Sequence, residues 1–384
     1  MKTTALKTLV LGSGWRNLIL LRLATDEPGH YGIGETTFEN GPWVGGRRLN
    51  GDQTHQGRHI RRSRKGAAQT RLFRMALITM LVVSAAAGTY SQQSVTKEIA
   101  ITIDDLPLNG PRVELARLRV MTDRLLSGIQ RHQVPVVGFV NESLLYVPAE
   151  TDARMAILKS WFDHGVELGN HTFAHVGFRD TPLADYEDDF VRGETITRSI
   201  MKSRDRRPRF FRHPFLQMGP TKEQEQSFEA FIAARGYRIA PITIDIMDWM
   251  FRVAYVNARN QNDATTMKRV VAEYLRFADT KIEFCERVAA DLFGRPIKHI
   301  LLLHANELNA DNFDRLMKVF TDRGYRFINL DVAIQDDVYQ FPDQYRPTSD
   351  WLNHWSFSKG KKFDTPQPPD FIRKIYEDSL KPAG

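Results

Sequence analysis

From Val95 to Asp331, short runs of β-branched and other apolar residues alternate with longer segments whose apolar residues recur at helical spacing. The predicted strands are residues 98–104, 134–140, 166–169, 209–212, 238–244, 299–303 and 326–330. The predicted helices are residues 114–132, 155–162, 183–203, 221–235, 264–293 and 312–323. Seven strand–helix steps of this kind predict an α/β fold in which a parallel sheet is covered by helices.

Polar residues of reactive types all stand at the C-terminal ends of predicted strands: Asp104, Asp105, His171, Arg212, Asp245 and His304. In a β/α barrel this end is the rim where loops converge on the active site. An open doubly wound sheet also fits the element order, but this clustering favours a distorted (β/α) barrel of about seven parallel strands. No Gly-x-Gly-x-x-Gly follows the first strand, so a dinucleotide site has no support.

Two short patterns contain residues that bind metals. His171-Thr-Phe-Ala-His175 spaces two imidazoles at i and i+4, which one helical turn would bring to the same side. Asp104-Asp105 follows an apolar strand, where two buried carboxylates would repel each other without a cation. Two histidines and one carboxylate are a common ligand set of catalytic zinc. An incidental histidine pair and a solvated acidic turn are the structural alternatives.

A metal site of this kind predicts a hydrolase. Water bound to a divalent cation has a lowered pKa, and a nearby carboxylate can accept its proton. The departing amine of an amide then needs an acid, a task that suits a histidine with a pKa near neutrality. His304 ends an apolar run and is placed for this role, although histidine in such a position is also often a packed structural residue.

The chain contains five motifs in this order: Thr102-Ile-Asp-Asp105, His171-Thr-Phe-Ala-His175, Arg212-His-Pro-Phe215, Asp245-Ile-Met-Asp-Trp249 and Leu302-Leu-His304. Their sequences and order resemble the five motifs of the polysaccharide deacetylases, the NodB-homology group of carbohydrate esterase family 4. The resemblance covers about 240 residues, from Val95 to Asp331. It implies a metal-dependent hydrolase that removes N-acetyl groups from amino sugars of a polysaccharide.

The resemblance also implies a metal centre and a base. The metal ligands would be Asp105, His171 and His175. The metal would be a divalent ion, Zn²⁺ or alternatively Co²⁺. Asp104 would be the general base, and Arg212 would pair with Asp104 and hold it in place.

By the same resemblance, His304 would be the general acid, with its pKa raised by Asp248 or Asp245. The main-chain N–H of Phe215 would help to stabilise the oxyanion. The wall of the pocket for the acetyl methyl group would be formed by Trp249 and Leu302.

Three features depart from the family pattern. The third motif commonly ends in Pro-Tyr-Gly but reads Pro214-Phe-Leu-Gln217 here, so we expect a different local turn. Residues 250–298 form a long insertion with an extended helix, which we expect to cap one side of the groove. The tail, residues 336–384, is expected to pack on the barrel. Its aromatic residues, Trp351, Trp355 and Phe357, could instead form a platform for sugars.

The front of the chain carries the excess positive charge. Residues 1–74 contain 13 Lys and Arg against 5 Asp and Glu, while the whole chain has a net charge of +7. A nucleic-acid partner is therefore not expected, because the folded body has almost no net charge. Residues 1–66 are interpreted as a disordered basic leader that is not translated if the start codon lies near Met75.

Residues 67–93 are interpreted as a signal peptide. Arg71 and Arg74 precede a 14-residue apolar run that ends in small residues near Ala87. The run is shorter than the roughly 20 residues of a membrane span, so export without a stable span is expected, with an uncleaved anchor as the alternative. Cys285 is the single cysteine, which excludes an intramolecular disulfide, and it is interpreted as a buried apolar residue.

These observations predict an exported polysaccharide deacetylase with its catalytic domain at residues 94–335. The glycan could be peptidoglycan, a chitin-like polymer or an exopolysaccharide. A hydrolase of a non-sugar amide and a non-catalytic carbohydrate-binding barrel are the alternative functions. The sequence does not specify the oligomeric state.

Overall fold

The computed structural model of the protein describes residues 3–13, 16–25, 31–36, 96–341 and 350–381. Two compact units divide the chain, residues 1–94 and residues 95–384. The first unit contains a three-stranded antiparallel sheet in the order β1-β2-β3. Its strands are β1 (Thr3–Ser13), β2 (Arg16–Thr25) and β3 (Tyr31–Thr36).

These three strands differ from the disorder predicted for residues 1–66. Residues 3–25 are rich in Leu, Val, Ile and Thr, and the two runs are joined around Gly12-Ser-Gly14, a composition that favours a hairpin. The clusters of Gly, Arg and Asn that follow these runs are what indicated disorder. The predicted signal peptide, residues 67–93, lies outside the described residues.

The second unit is built on a parallel sheet in the order β8-β7-β6-β5-β4-β10-β9, with β11 paired to the start of β4. The strands are β4 (Lys97–Leu106), β5 (Val136–Val140), β6 (Glu167–Asn170), β7 (Phe210–Phe211), β8 (Arg238–Ile239), β9 (Ile244–Asp245), β10 (Lys298–His304) and β11 (Tyr325–Phe327). The seven strands from β8 to β9 form a curled half-barrel. It is open because the two edge strands, β8 and β9, are not paired with each other in the described structure. The predicted distorted barrel of about seven parallel strands is confirmed.

Helices surround this sheet. They are α1 (Leu115–Arg131), α2 (Thr151–Asp163), α3 (Leu183–Arg192), α4 (Thr195–Lys202), α5 (Lys222–Ala234), α6 (Asp248–Asn260), α7 (Ala264–Phe293), α8 (Glu307–Asp322), α9 (Leu330–Ala333), α10 (Trp351–Ser358) and α11 (Asp370–Ser379). In the described part of the chain, no helix combines the length and the apolarity that crossing a membrane would require.

The central strand β4 is buried on both faces, because alternate side chains point to opposite sides of a strand. Ile99, Ile101 and Ile103 belong to the large core between the sheet and its helices. Ala100 joins a smaller cluster inside the half-barrel. Burial on both faces holds β4 in place. The two aspartates near its C-terminal end therefore lie beside the loops above the sheet.

The helix predicted at residues 183–203 is divided into α3 and α4 at Gly193. A Cβ at Gly193 would come within 2.7 Å of backbone atoms of Thr172 and Phe173. The side chain of Asp189 on α3 accepts a hydrogen bond from the Ala174 N–H at 2.9 Å. The division therefore lets the helix pair pack closely against the loop that carries the two motif histidines.

The insertion at residues 250–298 folds as most of α6 and all of α7. The buried face of α7, which includes Val270, Tyr274 and Ile282, belongs to the main core. Only α6, which the sequence pattern had not predicted, contributes residues to the pocket described below. The expectation that the insertion borders the groove thus applies to its first helix.

The tail forms α10 and α11. Trp355 is 1% exposed and packs edge-to-face against Phe293 and Tyr339, with ring centroids 5.2 and 5.4 Å apart. Trp355 is therefore a core residue and is not accessible to a sugar. Phe357 is 46% exposed but does not line the pocket.

Candidate active site

A pocket of about 430 Å³ opens above the C-terminal ends of the central strands. Nine of the residues singled out in the sequence line it: Asp104, Asp105, His171, His175, Phe215, Asp245, Trp249, Leu302 and His304. The other two, Arg212 and Asp248, are buried behind it and contact members of that set. The five motifs therefore meet in one cavity, as the strand-end rule requires.

Asp105, His171 and His175 form a group whose ligand atoms all lie within 4.8 Å of one another. Asp105 Oδ1 is 3.5 Å from His171 Nε2 and 3.3 Å from His175 Nε2. This oxygen is buried and has no hydrogen-bond partner among the described residues, whereas Oδ2 accepts a 2.6 Å bond from Asn109. A buried oxygen without a partner beside two imidazole nitrogens is the donor set that a divalent cation would complete.

Local contacts prepare these side chains for ligation. His171 Nδ1 lies 2.7 Å from the carbonyl oxygen of Arg212, which as the acceptor keeps the proton on Nδ1 and leaves the Nε2 lone pair facing Asp105. Burial lowers the pKa of His171 to about 3 and also lowers that of His175. Burial would raise the pKa of Asp105, but the two histidines and Asn109 lower it overall. The group thus presents one carboxylate and two neutral imidazoles at neutral pH.

Asp104 is 2% exposed and lies beside this group, with Oδ2 3.7 Å from His171 Nε2. Arg212 Nη1 contacts its two carboxylate oxygens at 3.3 and 3.4 Å. The guanidinium is itself fixed by a 2.7 Å bond from Nε to the carbonyl oxygen of Ala240. Burial raises the pKa of Asp104 to about 6 although Arg212 opposes the rise. This carboxylate can therefore exchange a proton close to neutral pH.

His304, at the end of β10, is paired with Asp248. Nδ1 of the imidazole lies 2.8 Å from Asp248 Oδ1, and the backbone N–H of His304 donates to Oδ2 at 2.9 Å. Asn306 and Asn309 also donate to Oδ2, which holds the carboxylate in place. Burial lowers the pKa of His304, but Asp248 and the other nearby carboxylates outweigh it and raise the pKa to about 10.

Of the two partners considered for His304, Asp248 makes the contact. Asp245 instead accepts a 2.7 Å hydrogen bond from the N–H of Met247, which has a left-handed backbone at φ 53°. Asp245 still lines the pocket, and burial raises its pKa. The identity of the partner could not be read from the motif because the two aspartates are only three positions apart.

The third-motif loop contains two consecutive residues with left-handed backbone. Phe215 and Leu216 both adopt left-handed backbone, with φ of 56° and 54°, within a short 3-10 turn, Pro214–Leu216. The Phe215 ring is 59% exposed and stands edge-on to His175 at 4.4 Å. Asp105, Thr172 and His175 also have positive φ. Such strain at several non-glycine residues around one cavity is typical of functional sites.

Several lining residues were not predicted: Asn109, Gly110, His213, Leu216, Arg252, Val253 and Tyr376. Trp249, Arg252 and Val253 share one face of α6, at i, i+3 and i+4. Recognising α6 as a helix would have placed Arg252 and Val253 beside Trp249. No comparable signal pointed to Tyr376, because α11 returns to the pocket from more than a hundred residues further along the chain.

A family model described as polysaccharide deacetylase matches residues 91–229. A model of a domain of unknown function, DUF5597, matches residues 9–61. No curated protein sequence matches the chain.

Solved structures resemble the chain at low sequence identity. A CE4 family pseudoenzyme from Bacillus anthracis is 16% identical, with a TM-score of 0.43 over 63% of this chain and 66% of that one. A polysaccharide deacetylase from Bacillus cereus is 15% identical, with a TM-score of 0.44 over 67% and 99%. A mutant of a peptidoglycan deacetylase from Bacillus subtilis is 18% identical, with a TM-score of 0.41 over 62% and 88%. Similarity at this level carries no argument about activity.

Proposed function

We propose that the chain is a metal-dependent hydrolase that releases acetate from N-acetylated amino sugars of a polysaccharide, and the match of residues 91–229 to the polysaccharide deacetylase model supports this proposal. The observation that carries the proposal is the buried Asp105 Oδ1, which has no hydrogen-bond partner within the described residues and lies 3.5 and 3.3 Å from Nε2 of His171 and His175. Asp104 and His304, whose pKa values lie far apart, stand in the same pocket.

The metal would be held by Asp105, His171 and His175. For this ligand set the preferred metal is Zn²⁺, with Co²⁺ as the alternative. When bound, such an ion would polarise the acetyl carbonyl as a Lewis acid and lower the pKa of a bound water. The cavity is lined by both polar and apolar residues, so it can hold the amide end of a sugar.

The proton transfers would be carried out by two side chains. Asp104 accepts the proton of the attacking water, and Arg212 keeps the carboxylate aimed at that position. His304, protonated through its pairing with Asp248, gives a proton to the amine nitrogen as the carbon–nitrogen bond breaks. The products are acetate and a free amino sugar.

Two other groups would position the substrate. The N–H of Phe215, presented by a left-handed turn, would donate to the developing oxyanion. Trp249 and Leu302 would enclose the acetyl methyl group.

A panel of glycans tests the proposal. Peptidoglycan, chitooligosaccharides and an acetylated exopolysaccharide should be incubated with the full chain, and acetate and free amine should be measured together. Equal amounts of the two products from at least one glycan are expected. Binding without acetate release would indicate a non-catalytic carbohydrate-binding barrel. Hydrolysis of a non-sugar amide by a sample that releases no acetate from any glycan would indicate the other alternative.

We also propose that the protein is exported, with its signal peptide near residues 71–88. The mature form should begin shortly after Ala87, and residues 1–74 should be dispensable for activity. N-terminal sequencing of exported protein checks this. A mature chain that still contains Trp43 would contradict it.

A further inference from the structure

A positively charged pocket residue is used by none of the proposed catalytic steps. Arg252 on α6 is 6% exposed and lines the cavity together with the catalytic groups. Its Nε donates to Glu307 Oε2 at 3.2 Å. The other oxygen of Glu307 accepts from Arg117 at 2.9 Å. Two guanidinium groups therefore share one carboxylate, which leaves one positive charge without a partner among the described residues.

The two Nη groups of Arg252 make no hydrogen bond to any residue in the described part of the chain. Neither Nη atom is among the fully buried polar atoms that lack a partner, so both are open to the pocket and a ligand there can accept their hydrogen bonds. Gly110 leaves room for the guanidinium itself, since a Cβ there would come within 2.3 Å of Arg252 Nη1. Gly110 also has φ of 108°, which L side chains rarely adopt.

Two aromatic residues line the same pocket as this guanidinium. Trp249 lies one turn before Arg252 on the same face of α6, and its ring meets that of Tyr376 edge-to-face with centroids 5.0 Å apart. Both aromatic residues line the pocket. Apolar ring surface next to a hydrogen-bonding charge is the combination that binds a sugar ring bearing an anionic substituent.

We propose that Arg252 binds a carboxylate of the substrate, so that the preferred glycan carries an acidic sugar next to, or as part of, the N-acetylated unit. This inference rests on the proposed deacetylase function. The planar fork of the guanidinium matches a carboxylate in bidentate geometry. A doubly charged phosphate is disfavoured because Asp104, Asp105 and Asp245 line the same cavity.

Two substrates that differ only in charge test the proposal. One is an oligosaccharide in which N-acetylglucosamine alternates with glucuronic acid, and the other is the same oligosaccharide with each carboxyl reduced to a hydroxymethyl group. The full-length wild-type protein should show a kcat/KM for acetate release about 10- to 100-fold higher on the acidic form, the range for a hydrogen bond to a charged group. The preference should shrink as ionic strength rises.

The variant Arg252→Gln should lose that preference, because kcat/KM should fall about 10- to 100-fold further on the acidic substrate than on the reduced one. Arg252→Lys keeps the charge but not the fork, and should retain part of the preference. Arg117→Gln is the matched control, because Arg117 shares Glu307 but does not line the pocket. An oligosaccharide of N-acetylglucosamine and N-acetylmuramic acid, also with and without its carboxyl reduced, shows whether a lactyl carboxylate serves as well as a uronic one.

Equal kcat/KM of the wild type on both members of each pair would overturn the inference, whatever the stability of the variants. A loss of the same size on the acidic and the reduced substrate in Arg252→Gln would also overturn it, because Arg252 would then only hold the loop at Gly110. Acetate release from none of the glycans would instead be a failure of the proposed function.

Discussion

Replacing His171 with alanine should remove both the bound metal and the deacetylase activity. His171 is 2% exposed, and its Nδ1 is engaged by the Arg212 carbonyl, so its Nε2 is committed to the ligand group. The metal content should fall from about one equivalent to near zero. The kcat/KM should fall by about 10³-fold or more, because Lewis-acid stabilisation contributes several kcal/mol. Elemental analysis and acetate release on protein purified without chelator measure the two effects.

His164→Ala is the matched control for this change. His164 is an exposed histidine that caps α2 and does not line the pocket. Its variant should keep the metal and the activity. Stoichiometric metal in His171→Ala protein would show that Asp105, His171 and His175 are not the ligand set.

Asp104→Asn should separate metal binding from proton transfer. The ligand group contains Asp105 and not Asp104, and Asp105 supplies the oxygen that lacks a partner in the described part of the chain, so removal of the Asp104 charge should leave the metal bound. Turnover should fall by about 10²- to 10⁴-fold, the range for one positioned proton-transfer group. Asparagine has the same shape and still accepts a hydrogen bond from Arg212. Loss of the metal together with the activity would mean that Asp104 is a ligand rather than the base.

A second substrate is needed to test whether His304 protonates the leaving amine. His304→Ala should keep the metal and reduce deacetylation of an N-acetyl sugar strongly. An activated aryl acetate, whose leaving group needs no proton, should be hydrolysed at a rate much closer to that of the wild type. Losses of the same size on both substrates would show that His304 is a structural residue.

The same two groups predict a bell-shaped pH dependence. Asp104 acts when deprotonated, so activity should rise as the pH increases through about 6, where its carboxyl titrates. His304 acts when protonated, so activity should fall as the pH passes about 10. A divalent cation beside Asp104 favours the carboxylate and would move the acidic limb to lower pH. The alkaline limb should disappear in His304→Ala.

The strands and the motif residues could be predicted because they rest on local patterns. A mostly apolar strand that ends in two aspartates leaves few choices for its direction or its burial, and β4 was predicted to within two residues. The helix at residues 264–293 was predicted with its exact bounds, since Asp263 caps its start and Gly294 ends it in a left-handed conformation. The pairing of Arg212 with Asp104 came from the family resemblance and is present in the structure.

Features that depend on distant parts of the chain could not be predicted. The break at Gly193 reflects the approach of the backbone at Thr172 and Phe173, which no local pattern encodes. Trp355 resembles an exposed aromatic residue in sequence, but its burial depends on Phe293, more than sixty residues earlier. Tyr376 reaches the pocket only because α11 packs on α6. The strands before Thr36 were not predicted, because the basic, Gly-rich composition of residues 1–66 indicated disorder although residues 3–25 contain apolar runs.

The most direct test of the account is acetate release by one protein sample in three states: as purified, after removal of metal by a chelator, and after addition of Zn²⁺ to the metal-free protein. Metal content and free amine should be measured in each state, with an N-acetylated oligosaccharide as substrate. We expect activity to follow metal content, to be lost with the metal and to return with about one equivalent of Zn²⁺. Unchanged acetate release from protein shown to be free of metal would contradict the account.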